Sequence, residues 1–194
     1  MWNDDNNENQ AIVDNIQKET KVNEIPSIDA LTTIIGEDEV AKKDKNKTSV
    51  YWKYIKMNML DVDLKSLIKK NKDTKGWIKV NGTNINYPFV QAKDNSYYLT
   101  HSIEKKYTDA GWIFLDYRNN INKLSKNNII YGHARLNKTM FGTLKNVLTE
   151  DWYKNEDNHI IKLSTETENT LWQVFSVYYI KTESYYITTN FNSD

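Results

Sequence analysis

The sequence of 194 residues contains no cysteine. Disulfide bonds and thiolate metal sites are therefore excluded, and so is any reaction in which this chain supplies its own thiol nucleophile. No apolar run reaches the roughly 18 residues that indicate a membrane-spanning helix, and the first residues lack the pattern of a signal peptide. We therefore expect no segment that spans a membrane, and either a cytoplasmic chain or one whose targeting segment precedes this numbering.

An excess of charge of one sign is missing as well. The 26 basic and 26 acidic side chains give a formal net charge of zero, so the chain has no excess of positive charge that would attract nucleic acid or an anionic membrane. Two prolines and six glycines leave the ordered segments largely uninterrupted. The 13 tyrosines and six tryptophans supply bulky rings from which a β-rich core can be built.

The N-terminal part of the chain differs in pattern from the rest. Residues 1–10 are polar, and we expect them to be frayed. One face of a short helix is then expected to carry Ala11, Ile12, Val13 and Ile16. The lysine-rich segment 42–49 is typical of a solvated linker. We therefore divide the chain into an extension of helices and linker, residues 1–50, and a folded domain, residues 51–194.

In the folded domain, the apolar residues first recur with the spacing of a helix and then with the spacing of β-strands. An amphipathic helix is predicted over 52–70, from the spacing of Leu60, Leu64, Leu67 and Ile68. Strands are predicted at 77–80, 83–87, 111–117, 127–131, 160–163 and 170–180. Asn81-Gly82 is a strong hairpin turn, and Pro88 should confine its strand to a sheet edge or a strand end. A second short helix is predicted over 139–148. The pattern favours a mainly β fold, a barrel or curled sheet decorated by helices.

Six ordered motifs lie within about residues 50–191. They are Lys75-Gly76-Trp77-Ile78, Asn84-Ile85-Asn86-Tyr87-Pro88, Lys93-Asp94-Asn95-Ser96-Tyr97-Tyr98-Leu99, Ala110-Gly111-Trp112-Ile113-Phe114-Leu115-Asp116-Tyr117-Arg118-Asn119, Asn127-Asn128-Ile129-Ile130-Tyr131-Gly132-His133 and Met140-Phe141-Gly142-Thr143-Leu144-Lys145. In this order and spacing they resemble the class B sortases. The resemblance implies a sortase-like β-barrel with N-terminal helices and a short helix after the strand that leads to His133.

The resemblance also implies a reaction. Class B sortases cleave a sorting signal similar to Asn-Pro-Gln-Thr-Asn near the C-terminus of a secreted protein. They attach that protein to an amine of the peptidoglycan precursor. In this chemistry a cysteine attacks the peptide carbonyl, a histidine transfers protons and an arginine stabilises the oxyanion. His133 matches the catalytic histidine. The implied partners are the sorting-signal peptide and the precursor amine, and the implied location is the outer face of the cell membrane or the cell wall.

The cysteine and the arginine of the family have no counterpart among the 194 residues. In the family both lie on strands beyond the position that corresponds to Asp194, so we expect a barrel incomplete at its C-terminus and a chain that is inactive alone. The two arginines present, Arg118 and Arg135, do not align with the missing one. We expect Arg118 to be a structural residue at a strand end and Arg135 to lie in a loop near His133.

The resemblance assigns two walls of a peptide groove. Thr182, Tyr186 and Ile187 match peptide-contacting positions on one wall, and Asn95 and Leu99 match positions on the opposite wall. For each of these five residues, ordinary packing or simple surface exposure is the alternative.

Other functional readings find less support. The three histidines, His101, His133 and His159, lack the spacing of metal ligands, so we expect neither a metal nor another cofactor. The separate positions of Asp94, Asp109 and Asp116 favour solvated loop carboxylates over a catalytic pair. Two alternatives to an enzyme remain, a non-catalytic peptide-binding module and a non-functional fragment of a sortase gene.

Overall fold

The computed structural model describes residues 2–25, 57–181 and 183–191, with side chains from Glu8 onward in the first helix. The α-helices are α1 (Trp2–Glu19), α2 (Lys65–Lys70) and α3 (Glu150–Lys154). The strands are β1 (Val22–Ile25), β2 (Met59–Val62), β3 (Thr74–Val80), β4 (Asn86–Val90), β5 (Phe114–Leu115), β6 (Ile130–Tyr131), β7 (Ile160–Thr165) and β8 (Asn169–Gln173). Short 3-10 helices cover Tyr97–Leu99, Leu144–Leu148, Glu156–Asn158 and Tyr185–Ile187.

One six-stranded sheet dominates the fold, with the strand order β6-β5-β4-β3-β7-β8. Strand β3 pairs antiparallel with both β4 and β7, whereas β4 meets β5 in a parallel arrangement through the pair Val90 and Phe114. Within the described residues, β6 and β8 are the two edges of this sheet. The prediction of a mainly β fold is confirmed, as an open, curled half-barrel with few helices.

The hairpin predicted at Asn81-Gly82 joins β3 to β4. Gly82 has a φ of +70°, a left-handed conformation that glycine adopts without steric cost. The return strand starts at Asn86, later than predicted, because the Thr83 hydroxyl binds the chain locally. It donates to the Val80 carbonyl at 2.8 Å and accepts from the Ile85 amide at 3.0 Å.

The expectation that Pro88 lies at a sheet edge or a strand end is wrong. Pro88 occupies the middle of β4, which has β3 on one side and β5 on the other. The β4–β5 ladder consists of the single pair formed by Val90, so Pro88 lies beyond the part of the strand that pairs with β5.

The helix predicted over 52–70 is wrong in its middle part, and its first five residues lie outside the described ones. Met59–Val62 is the strand β2, which pairs antiparallel with β1. Leu60 and Val62 are buried while Met59 and Asp61 are half-buried, so a two-residue period governs this stretch. The frayed start is also wrong, because α1 extends from Trp2.

Four further predicted elements are shorter than expected. The strands over 111–117 and 127–131 shrink to β5 and β6, and β8 ends at Gln173. Next to β5 the backbone forms hydrogen bonds outside the strand pairs, since the Trp112 amide donates to the Tyr98 carbonyl at 2.9 Å. The helix predicted over 139–148 begins only at Leu144 and has 3-10 geometry, because Met140 adopts a φ of +50°.

The core is built largely from aromatic side chains. Its largest fully buried members include Trp77, Trp112, Tyr98, Phe89 and Phe114. Ile12, Val13 and Ile16 of α1 belong to the same cluster of buried residues. The proposed domain boundary at residue 50 falls outside the described residues. No helix in the described part of the chain is long and apolar enough to cross a lipid bilayer.

Candidate active site

His133 lies two residues beyond β6, at an edge of the sheet. Its carbonyl oxygen accepts a hydrogen bond from the Phe141 amide at 2.9 Å, and Ala134 forms a β-bridge with Met140. A Cβ atom at Gly132 would lie only 2.9 Å from the Phe141 ring. Glycine before the histidine therefore lets this ring pack against the backbone, which fixes the turn that presents the imidazole.

The imidazole of His133 contacts the opposite wall of the predicted groove. Its Nε2 atom lies 2.8 Å from the carbonyl oxygen of Leu99, a residue 34 positions earlier in the chain. A carbonyl oxygen can only accept, so Nε2 is the donor and carries a proton. In the neutral ring Nδ1 is then the nitrogen able to take up a proton. Leu99 is 40% exposed and therefore available to a ligand.

Asp116 lies next to this wall and is fully buried, at 0% exposure. Its Oδ1 atom accepts from the Arg118 amide at 2.9 Å and from Arg118 Nε at 2.8 Å. Its Oδ2 atom accepts from Arg118 Nη2 at 2.7 Å, Asn95 Nδ2 at 2.8 Å and the Tyr131 hydroxyl at 2.9 Å. The expectation of a solvated loop carboxylate is therefore wrong for Asp116, because five donors replace water around it.

These contacts keep Asp116 ionised. Burial alone would raise its pKa, but the hydrogen bonds from Arg118, Asn95 and Tyr131 outweigh burial and hold the pKa well below its usual range. Burial and the hydrogen bond to Asp116 together raise the pKa of Tyr131 to about 12, so its hydroxyl stays a proton donor at neutral pH.

The other predicted wall is attached through main-chain carbonyl groups. Arg118 Nη2 donates to the Ile187 carbonyl at 2.9 Å. Asn127 Nδ2 donates to the carbonyls of Tyr186 and Thr188, both at 3.0 Å. These contacts span 59 to 69 residues of sequence, so the 3-10 turn Tyr185–Ile187 is held against the segments that flank β5 and β6.

Asn95 is partly occupied by structural contacts. Its Nδ2 donates to Asp116, and its Oδ1 accepts from the Tyr117 amide at 3.0 Å. A primary amide offers two donor hydrogens and two acceptor lone pairs. One of each therefore remains for a peptide ligand.

Of the six predicted site residues, the structure brings five into one region, and these are His133, Asn95, Leu99, Tyr186 and Ile187. Leu99 meets His133 directly, and Asn95 connects through Asp116 and Arg118 to the Ile187 carbonyl. Tyr186 joins through its carbonyl. The sixth residue, Thr182, lies outside the described residues.

Sequence reasoning missed three residues that connect these walls: Asp116, Asn127 and Tyr131. The signal that was available is the Asp-Xaa-Arg spacing directly after a buried strand. An aspartate two residues before an arginine can accept from that arginine's amide and side chain at once, as Asp116 and Arg118 do. The long-range partners of this pair could not be read from spacing.

The remaining polar candidates do not converge on a second site. His101 Nδ1 lies 2.8 Å from the Tyr97 carbonyl, and His159 Nε2 lies 2.9 Å from the Tyr153 carbonyl. Arg135, in the loop after His133, donates from Nη1 to the Asp109 carbonyl at 3.2 Å. In the ranges that the structure describes, no group of three histidine or carboxylate side chains is placed to hold a metal ion.

The chain is similar to proteins called sortase B, although no family model matches it. It is 41% identical over 129 residues to sortase B of Staphylococcus aureus, a match that covers 66% of this chain and 52% of that protein. The solved structure of Clostridium perfringens sortase B matches with a TM-score of 0.60 and 36% identity, over 68% of this chain and 71% of that one. A Staphylococcus aureus sortase B–substrate complex matches with a TM-score of 0.69 and 30% identity, over 98% and 74%. The chain spans about half the length of the curated relatives it matches.

Proposed function

This chain belongs to the sortase B family, and from that membership we propose that it supplies the proton-transfer and peptide-binding half of a sortase-type transpeptidation site. The observation that supports the proposal best is the meeting of His133 with Leu99, two residues that the family motifs assign separately to catalysis and to the groove. A relative is described in complex with substrate, and another structure holds sortase B with triglycine. We accordingly propose a sorting-signal peptide and a peptidoglycan precursor amine as partners.

The hydrogen bonding of His133 supports its proposed role in proton transfer. With Nε2 engaged by the Leu99 carbonyl, Nδ1 is the atom that exchanges protons. In the protonated ring Nδ1 donates a proton to the amine that leaves when the sorting signal is cleaved. The neutral ring then accepts a proton from the amine that attacks the thioacyl intermediate.

The groove residues act on the bound peptide. Leu99 and the side chains of Tyr186 and Ile187 offer apolar surface, and Asn95 offers one donor and one acceptor for the peptide backbone. We propose Thr182 as a further contact, on the family resemblance alone. We also propose that the reaction takes place at the outer face of the cell membrane or in the cell wall.

The thiol and the oxyanion-stabilising arginine have to come from polypeptide outside these 194 residues, which contain no cysteine. We therefore expect the 194-residue polypeptide on its own to bind peptide without turning it over. A non-catalytic peptide-binding module has the same properties, and the two functions differ only in whether an added thiol segment restores cleavage.

Peptide binding by the purified chain tests the proposal. A fluorescent peptide containing Asn-Pro-Gln-Thr-Asn should bind saturably, and a peptide of the same composition in scrambled order should bind at least about 10-fold more weakly. Incubation with the peptide should yield no cleavage. Equal binding of both peptides would refute a groove that recognises the sorting signal. Cleavage by the chain alone would refute the proposal that the thiol and the oxyanion-stabilising arginine lie outside these 194 residues.

A further inference from the structure

Three walls of the candidate groove meet at one buried carboxylate, and we propose that Asp116 is the positioning residue that holds these walls in place. The inference rests on the proposed function, because it concerns the same groove. Two of them are the walls described above: the first is the segment that begins at Asn95, and the third is the 3-10 turn Tyr185–Ile187. The second is the strand β6 that leads to His133, which we count here as a wall of its own.

Each wall has its own link to the carboxylate. Asn95 donates to Oδ2 at 2.8 Å, so the loop that precedes Leu99 is bound directly. The Tyr131 hydroxyl donates to the same oxygen at 2.9 Å, two residues before His133. Arg118 Nη2 donates to Oδ2 at 2.7 Å and to the Ile187 carbonyl at 2.9 Å, so a single guanidinium joins the third wall to Asp116.

Only an ionised carboxylate suits this arrangement. Its two oxygens accept five hydrogen bonds, and every partner is a donor. An asparagine at position 116 would keep one acceptor oxygen and turn an NH₂ group toward donors that need an acceptor. The planar guanidinium of Arg118 also requires both carboxylate oxygens for its paired contact.

A general contribution to stability can be separated from positioning by a matched control. Glu24 lies on β1 and accepts from Lys79 at 2.8 Å and from the buried Lys162 at 3.2 Å. Like Asp116 it is a carboxylate that accepts hydrogen bonds from cationic side chains, in this case on β3 and β7. The substitution Glu24→Gln should therefore lower stability without reaching the walls of the groove.

The test compares wild type, Asp116→Asn and Glu24→Gln under conditions in which each is folded. Backbone ¹⁵N relaxation reports the order parameters of Tyr186, Ile187 and Thr188, which should be about 0.85 in wild type and in Glu24→Gln. In Asp116→Asn they should fall toward about 0.6 or below. The affinity for the Asn-Pro-Gln-Thr-Asn peptide should drop about 10-fold in Asp116→Asn only, as expected for lost hydrogen bonds to a charged group.

Order parameters and affinity in Asp116→Asn that match those of Glu24→Gln would overturn the inference. If Asp116→Asn does not fold, Arg118→Lys takes its place, because it removes the guanidinium that links Asp116 to the Ile187 carbonyl and retains the positive charge. Unchanged order parameters in Arg118→Lys would then overturn it. If wild type binds no peptide, the proposed function fails, while the relaxation data still decide the role of Asp116.

Discussion

The Nε2 atom of His133 lies 2.8 Å from the carbonyl oxygen of Leu99. This contact joins the loop after β6 to the end of the 3-10 turn Tyr97–Leu99 and fixes the orientation of the imidazole. Because the acceptor is a main-chain carbonyl, the contact also determines which nitrogen carries the proton in the neutral ring.

The first prediction concerns this tautomer. In long-range ¹H–¹⁵N spectra of the neutral His133 ring, Nε2 should appear as the protonated nitrogen and Nδ1 as the unprotonated one. His101 provides an internal control of opposite sign, because its Nδ1 faces the Tyr97 carbonyl at 2.8 Å and should carry the proton. A neutral His133 with its proton on Nδ1 would contradict the hydrogen bond to the Leu99 carbonyl. It would also contradict the assignment of Nδ1 as the atom that exchanges protons.

The second prediction concerns the pH dependence of stability. The substitution Asp116→Asn should lower the free energy of unfolding by about 2–4 kcal/mol at neutral pH, through the loss of a buried, hydrogen-bonded charge. The pKa of Asp116 is lowered in the folded state, so this stabilisation is fully present above its unfolded pKa of about 3.9. It is lost as pH falls through the folded pKa.

Urea unfolding of wild type and Asp116→Asn across the pH range measures this difference directly. The gap between the two proteins should be constant from about pH 6 to pH 8 and should narrow below about pH 4. A gap that widens on acidification would mean that Asp116 is protonated in the native state, contrary to its five donors.

The third prediction concerns the missing thiol. Within the described residues β6 and β8 are open edges, and the chain beyond β8 exposes Phe175 at 96% beside a groove of about 740 Å³. Open strand edges accept further strands through main-chain hydrogen bonds. A peptide with the Thr-Leu-Xaa-Thr-Cys segment and the arginine strand of a class B sortase should therefore bind and restore thiol-dependent cleavage.

Two controls make this experiment specific. The same peptide with serine in place of cysteine should bind equally and give no cleavage. His133→Ala should retain the complex and lose the activity, because the proton-transfer group is gone. A stable complex with the cysteine peptide that still fails to cleave would favour the non-catalytic peptide-binding module.

The elements that the sequence predicted well are those in which one local signal decides the structure. Asn81-Gly82 forms a turn because the left-handed backbone favours glycine, and Ile12 and Ile16 are buried because their spacing defines one helical face. The family motifs also predicted the curled sheet. The site residues derived from the same motifs stay predictions.

The errors arose where contacts distant in sequence override a local pattern. Leu60 satisfies a helical spacing with Leu64, yet it belongs to a strand because β1 offers an antiparallel partner. Asp116 follows a strand in a polar stretch, as a solvated residue would. Its burial depends on Asn95 and Tyr131, which approach from other segments and leave no trace in local spacing.

Chemical-shift mapping of the ¹⁵N-labelled chain tests the central claim most directly. Titration with the Asn-Pro-Gln-Thr-Asn peptide should shift the amide signals of Leu99, His133 and Ile187 in a saturable, common binding curve, and the scrambled peptide should leave them in place. Shifts confined to the face around Phe175, or no saturable shifts at all, would contradict a peptide groove centred on His133.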